Sequence, residues 1–428
     1  MRMTGGVRKL AENATTLYVA HFVGLVVPLV TIPYLARVLR PESFGLVVFA
    51  QSFGMWLVLV LEYGFDLSGT RSVARVLADG GELDDVVAGV QSAKILVFLL
   101  SIPLVAGAFW LVPLFRENPE YLLWAWLFAG ARGFLPNWFF FGQERMAPPA
   151  FLEAGGRVLA AVGIFLLVHE PRDGWRVLAL QAVGMGGAVA WLTFLMHREV
   201  PFPRLRVTRA LRTLREAFGI FVFRSSSGLY MQANPFILGL LAPTQVVAFF
   251  GGAEKVVRAA VALIQPLSQT FFPRLSHLVT KDTRKAGGIF RVTVFSIVGL
   301  GLIMGLTTFV AAPVLVRLLL GPGYEEAVPV LRILAVLPPV IGVGTAFGIQ
   351  WAVPVGLERP FYSLVIVAGV VNVGLAVLLV PGFGGEGMAV AVLAAEVLVA
   401  AGLLALFRLK GGSFRPLRLP DTALDSGD

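Results

Sequence analysis

Residues 218–278 read FGIFVFRSSSGLYMQANPFILGLLAPTQVVAFFGGAEKVVRAAVALIQPLSQTFFPRLSHL, two apolar spans joined by the turn Ala242-Pro243-Thr244. Arg224 lies well inside the first span, and Glu254, Lys255 and Arg258 lie near the middle of the second. An Arg or Lys at the centre of a membrane helix costs about 2.5–3.5 kcal/mol on insertion scales. A chain that keeps several such groups must gain something from their charge.

The same alternation of apolar blocks and short polar joints runs through the whole chain. Of 428 residues, 57% are hydrophobic and 14% charged, against about 25% charged in soluble domains. Mean hydropathy is +0.81. The apolar blocks have the length that crosses a bilayer core. The fold class is therefore an all-α polytopic membrane protein. Twelve spans are expected, at about 13–38, 43–65, 90–114, 119–141, 150–168, 175–196, 217–241, 245–270, 290–316, 330–353, 361–380 and 386–407. The basic stretch 1–12 leads into the first span with no small-residue cleavage site, so that span is read as retained.

A net charge of +9 would suggest nucleic acid in a soluble chain. Here the basic residues gather in alternate joints, so no nucleic-acid partner is expected. With the N-terminus inside, the cytoplasmic segments carry 22 Lys and Arg and the opposite side 7. The bias predicts both termini in the cytoplasm of a multi-pass protein of the inner (cytoplasmic) membrane. No cysteine is present, so the redox compartment is not readable. No phosphate loop, metal-spaced His set or nucleophile elbow appears, and the chain is not expected to be an enzyme.

The polar connection 197–216 divides the chain into two six-span lobes, 1–205 and 206–410, followed by a short cytoplasmic tail, 411–428. Six is even, so both lobes enter from the same side and any repeat between them is parallel. A faint trace links Tyr34-Leu35-Ala36-Arg37-Val38-Leu39-Arg40-Pro41 to Phe236-Ile237-Leu238-Gly239-Leu240-Leu241-Ala242-Pro243.

On a helix, Arg224, Ser227, Met231 and Asn234 fall on one stripe, and Lys255, Arg258, Gln265 and Gln269 on another. Two such stripes fit a water-filled cavity better than lipid. Glu254 and Arg258, four apart, also read as an intrahelical pair. The same holds for Glu153 and Arg157, whereas Arg132 is a candidate for the cavity. Lys94 lies close to a span end and is expected to snorkel. Glu62 and Asp66, with Arg71 and Arg75 following, read first as an interfacial ion cluster. Glu396 sits mid-span without a cation beside it in sequence; such a carboxylate can hold a proton or bond a neighbouring helix. Pro28, Pro33, Pro235, Pro266, Pro338, Pro339 and Pro354 are expected to bend or interrupt helices.

Several segments carry a family likeness: IPYLARVLRPESFGLVVFAQ (32–51), EYGFDLSGTRSVA (62–74), NWFFFGQERM (137–146), LYMQANPFILGLL (229–241) and AEKVVRAAVALIQPLSQTFFPRLS (253–276). LRILAVLPPVIGVGTAFGIQ (331–350) and VVNVGLAVLLVPGFGGEGMAVAVLAAE (370–396) follow. In order and spacing the chain resembles the Wzx-type polysaccharide flippases, relatives of the multidrug (MATE) exporters and the MurJ lipid II flippases. The resemblance covers residues 10–405. It implies two six-helix lobes forming a V around a cationic lumen. It also implies alternating access, carrying an undecaprenyl-pyrophosphate-linked oligosaccharide from the cytoplasmic to the outer leaflet. On that reading Arg224, Lys255 and Arg258 hold the pyrophosphate or acidic sugars, with Arg132 and Asn234 beside them. Glu396, Glu62 and Asp66 are candidates for ion coupling. No cofactor is expected beyond a proton or sodium gradient. Expected partners are the lipid-linked oligosaccharide, the bilayer, and polysaccharide polymerase and chain-length proteins. Phe141 stands where the family often has Gln, and Asn234 where it often has an acid, so no coupling carboxylate is carried onto the seventh span. Twelve spans rather than fourteen favour polysaccharide over lipid II. The alternatives are a cation-coupled drug exporter, for which an acidic lumen would be wanted, and a membrane glycan polymerase or ligase, for which larger outer loops would be wanted.

Overall fold

A computed structural model describes residues 3–412 and Phe414, with side chains described at 20, 22–222, 232–279, 281–412 and 414. No strand occurs among them. The helices in order are α1 (Met3–Glu62), α2 (Phe65–Ala78), α3 (Asp84–Leu111), α4 (Pro113–Glu117), α5 (Pro119–Phe134) and α6 (Asn137–Gly142). Then come α7 (Ala147–Leu167), α8 (Gly174–His197), α9 (Val207–Leu241), α10 (Thr244–Ala262), α11 (Ile264–Lys281) and α12 (Thr283–Leu319). The chain closes with α13 (Ala327–Leu334), α14 (Leu337–Gly344), a π-helical stretch Thr345–Ala352, α15 (Val353–Val355) and α16 (Glu358–Leu409).

Each of the twelve apolar blocks falls on helix. Seven helical stretches among the described residues are long and apolar enough to cross a membrane, and two of them, Phe22–Ala78 and Glu358–Leu409, are 57 and 52 residues long. At 1.5 Å per residue either would far exceed a bilayer core of about 30 Å. The first is broken twice, at Arg40 and at the Tyr63-Gly64 turn between α1 and α2, and the second once. Arg40 in α1 has φ 60° and ψ 168°, and Gly384 in α16 has φ 51° and ψ −126°. Arg40 precedes Pro41, whose ring disfavours helical geometry in the residue before it. Pro28 and Pro33, expected to interrupt the first span, instead lie within continuous helix. The tenth span is assembled from α13, α14 and the π-helical stretch, with Pro338 and Pro339 in the first turn of α14.

The chain forms two compact units, residues 1–248 with 319–323, and residues 249–318 with 324–428. In the first unit α1 packs on α5, α7 and α9, α3 on α9, and α7 on α8. Its core includes Phe65, Val90, Leu135, Trp138, Phe139, Phe140 and Leu192. The α7–α8 contact is backbone on backbone: a Cβ at Gly156 would lie 2.5 Å from the Gly184 carbonyl oxygen. Small residues at such a crossing let membrane helices approach without a hydrophobic driving force. In the second unit α13 and α14 pack on α16, and the π-helical stretch packs on α11. There Gln350, fully buried, donates from Nε2 to the Ser268 carbonyl at 2.6 Å and to its Oγ at 2.8 Å.

Candidate functional site

In the first unit a cluster of charge is built from three helices. Arg132 stands in the last turn of α5, which stops at Phe134 because Pro136 follows two residues on. Asn137 opens α6, and Glu153 and Arg157 lie one turn apart on α7. Glu153 Oε2 is 3.3 Å from Arg157 Nη2 and 3.6 Å from Arg132 Nη1. Its other oxygen, Oε1, accepts from Asn137 Nδ2 at 2.7 Å. One carboxylate thus faces two guanidinium groups, which leaves one positive charge in surplus. Arg132 Nε and Asn137 Oδ1 are buried with no hydrogen-bond partner, and buried polar atoms rarely go without one. A Cβ at Gly24 would lie 3.1 Å from Arg157 Nη1, so α1 gives this guanidinium room by having no side chain there. Glu153 and Arg157 stand about 9 and 15 Å along α7 from its start at Ala147, by the rise of a helix. The cluster therefore runs from one end of the helix towards mid-membrane.

The i,i+4 pair of Glu153 and Arg157 is as the sequence suggests, but the carboxylate is shared with Arg132. The expectation for Lys94 is overturned. Its side chain is buried, and Nζ donates to the Leu135 carbonyl at 2.8 Å. Leu135 follows the end of α5, so its carbonyl has no helical successor to bond. The Asp66 and Glu62 carboxylates lie close enough to Lys94 to interact with its charge. Glu62 and Asp66 are half-buried, so two of the coupling candidates lie within electrostatic range of a buried lysine that sequence spacing did not connect to them.

In the second unit, Arg258 Nη2 donates to Glu254 Oε1 at 2.8 Å, the intrahelical pair that the spacing allows. Lys255, one residue from Glu254, is half-buried, and Arg258 is exposed. Glu396, on α16, is half-buried. Asn234, in the first unit, is 2% exposed, and its Oδ1 lacks a hydrogen-bond partner. The side chain of Arg224 lies outside the described residues. The structure brings Arg132 together with Glu153 and Arg157, Glu62 and Asp66 with Lys94, and Arg258 with Glu254.

Sequence comparison places the chain among known proteins. Residues 10–279 match the model of a family described as "Polysaccharide biosynthesis protein". The chain belongs to that family. Among its curated relatives is a protein of Escherichia coli (strain K12) named "Putative O-antigen transporter", 26% identical over 405 residues that cover 94% of this chain and 97% of that one. A Shigella dysenteriae protein of the same name is 27% identical, covering 94% and 99%. Solved structures of similar fold include an inward-facing multidrug resistance transporter of the MATE family (TM-score 0.66, 14% identity, 90% and 98% covered). Another is the lipid II flippase MurJ in an inward closed conformation (TM-score 0.64, 13% identity, 92% and 87% covered). At that identity the two structures speak for the fold, which this family member shares.

Proposed function

We propose that the chain is a flippase that carries an undecaprenyl-pyrophosphate-linked oligosaccharide from the cytoplasmic to the outer leaflet by alternating access. The observation that carries this reading is the surplus of positive charge held inside the spans, clearest where Arg132 and Arg157 share Glu153. A diphosphate-linked sugar loses its hydration on entering a low-dielectric slab. Preplaced guanidinium groups replace that hydration, and their planar fork matches phosphate oxygens. The names borne by the Escherichia coli and Shigella relatives point to the same class of cargo.

On this reading Arg224, Lys255 and Arg258 hold the pyrophosphate or acidic sugars, with Arg132 and Asn234 beside them and the prenyl chain left in the bilayer. The two six-span lobes are 1–205 and 206–410, and the protein resides in the inner membrane with both termini in the cytoplasm. It is a transporter and not an enzyme. A proton or sodium gradient drives it, with the Glu62, Asp66 and Lys94 group and Glu396 as candidate coupling sites, and polymerase and chain-length proteins receive the cargo. A cation-coupled drug exporter on the same fold is the second reading, and the MATE likeness favours it. A cationic cluster repels the cationic drugs such an exporter moves.

The deciding experiment is translocation of a lipid-linked oligosaccharide in proteoliposomes, with and without an imposed gradient. Flipping by the wild type, lost in Arg132→Gln and Lys255→Ala while both variants remain inserted, is the expected result. Efflux of a cationic dye without any flipping would favour the exporter.

A further inference from the structure

The second unit contains a cavity of about 480 Å³, distinct from the charge clusters above, lined by Arg274, His277 and Leu278 of α11 and by Lys285, Gly288 and Ile289 of α12. A single residue, Asp282, separates the two helices, and the cavity opens between them next to that turn. The turn is strongly basic: Lys281, Arg284 and Lys285 flank it and are exposed, which puts it at the water face of the membrane. Along the helices, Lys285 and Leu278 stand about 5–6 Å from Asp282, His277 and Gly288 about 8–9 Å, and Ile289 and Arg274 about 11–12 Å. The headgroup layer on each side of a bilayer is about 5–8 Å thick. The lining thus lies between the turn and the apolar spans, which end near 270 and begin again near 290, on the interfacial side of the core.

Charge and shape agree with that depth. Arg274, His277 and Lys285 line the cavity and are exposed, whereas Leu278, Gly288 and Ile289 are half-buried and apolar. The one carboxylate at the turn, Asp282, lies 3.3 Å from Lys285 Nζ and accepts the Lys285 backbone N–H at 3.0 Å. An ammonium has three donors, so this pairing does not exhaust Lys285. A Cβ built on Gly288 would meet nothing within 4 Å, so the cavity is open where a guest would lie.

We propose that this cavity binds a phosphate-bearing lipid headgroup, with its phosphate on Arg274 and Lys285 beside His277 and its first chain carbons on Leu278 and Ile289. Basic pockets between membrane helices at the interface suit anionic headgroups. The apolar floor distinguishes a lipid from a free phosphate. The inference does not rest on the flippase reading, since it concerns binding at one leaflet and not passage across the membrane.

The test is a thermal-shift titration of the full chain in a mild detergent with four probes. These are a polyprenyl diphosphate, dioleoylphosphatidylglycerol, dioleoylphosphatidylcholine and inorganic pyrophosphate. Saturable stabilisation by one or both anionic lipids is expected, weakened about tenfold or more in the double variant R274Q/K285Q. Gly288→Phe fills the cavity, leaves every charge in place and replaces a helix-interior glycine, so it should fold and should weaken binding likewise. It decides the matter if R274Q/K285Q does not fold. Tighter binding of the polyprenyl diphosphate than of phosphatidylglycerol would make the site one for prenyl-linked cargo, and equal binding a site for bulk anionic lipid; both support the proposal. Equal stabilisation by phosphatidylcholine, pyrophosphate binding as tight as that of the lipids, or wild-type affinity in Gly288→Phe overturns it.

Discussion

The Ser52 hydroxyl of α1 stands inside the hydrogen-bond ladder of α9. Its Oγ accepts the Phe236 N–H at 3.2 Å and donates to the Gln232 carbonyl at 2.5 Å. Phe236 and Gln232 are four residues apart, so in a regular helix they would bond to each other. Pro235 lies between them, and the hydroxyl of the neighbouring helix bonds both ends of this step. This is one of the few physical causes of a bend in a helix. Replacing Ser52 by Ala leaves a donor and an acceptor unpaired in a buried place and should cost about 1–3 kcal/mol. Ser52→Thr, which keeps the hydroxyl, should cost less. Thermal unfolding of the detergent-solubilised chain measures both, and an unchanged midpoint for Ser52→Ala would show that α9 re-forms its own bond.

A second prediction concerns the same crossing. Phe236 packs against Phe49, Phe53 and Phe115, with ring centroids 5.0, 5.2 and 6.3 Å away. A Cβ at Gly239 would collide with the Phe49 ring, and Phe49 is fully buried. Gly239→Val should overpack this contact and cost about 1–3 kcal/mol. A compensating Phe49→Leu in the same chain should recover part of the loss. Additive losses in that double variant would mean that the two positions do not share the contact.

The all-α membrane body was legible because apolar blocks of bilayer length are hard to mistake. So were Glu153–Arg157 and Glu254–Arg258, which need only the turn of one helix. What could not be read depends on partners far away in the chain. Lys94 meets a carbonyl 41 residues on, and nothing in its own neighbourhood shows that α5 will end beside it. Arg132 and Glu153 are 21 residues apart, on different helices, and the loop between them hides the pairing. Pro28 and Pro33 misled because a proline weakens one backbone bond but does not by itself end a helix; the break came at Arg40, where the proline follows. The π-helical stretch Thr345–Ala352 has no clear sequence mark at all. Arg224, on which the sequence reading leaned, lies where no side chain is described.

The shared carboxylate makes a sharp prediction about charge. Glu153→Gln leaves Arg132 and Arg157 facing each other; loss of one member of a fully buried pair costs about 3–5 kcal/mol, and this partly exposed cluster should lose less. Arg132→Gln leaves a neutral Glu153–Arg157 pair and should be milder. The double variant E153Q/R157Q should be more stable than E153Q alone, since it removes the repulsion. Measuring these midpoints together with that of Arg157→Gln closes the cycle and gives the coupling. If E153Q and E153Q/R157Q unfold together, the repulsion is not felt.

Lys94 bonds a carbonyl and lies within electrostatic range of two carboxylates, so its replacement should lower stability. Lys94→Met keeps the stem but leaves the Leu135 carbonyl without its donor and removes the positive charge beside Glu62 and Asp66. A lower unfolding midpoint is expected for this variant. Restoring neutrality with Glu62→Gln or Asp66→Asn in the same chain should bring back part of the stability, and the carboxylate that does so is the closer electrostatic partner. No recovery with either would mean that the carbonyl bond alone accounts for the loss.

The last prediction follows pH at the turn between α11 and α12. Hydrogen bonding from the Lys285 backbone N–H, and then from its side chain, holds the Asp282 carboxyl below the usual carboxylate range. A group whose value is lower in the folded chain than in the unfolded one adds stability that is present above its unfolded value, and this is lost as pH falls through the folded value. Between neutral pH and the ordinary carboxylate range, wild type should therefore be more stable than Asp282→Asn. The gap should close on further acidification. Asp282 is open to solvent, so salt should narrow the ion-pair share of the gap while the bond to the backbone N–H persists. Unfolding midpoints across that pH range, at low and high salt, test both statements; a gap that widens towards acid would mean that the carboxylate destabilises the turn instead of capping α12.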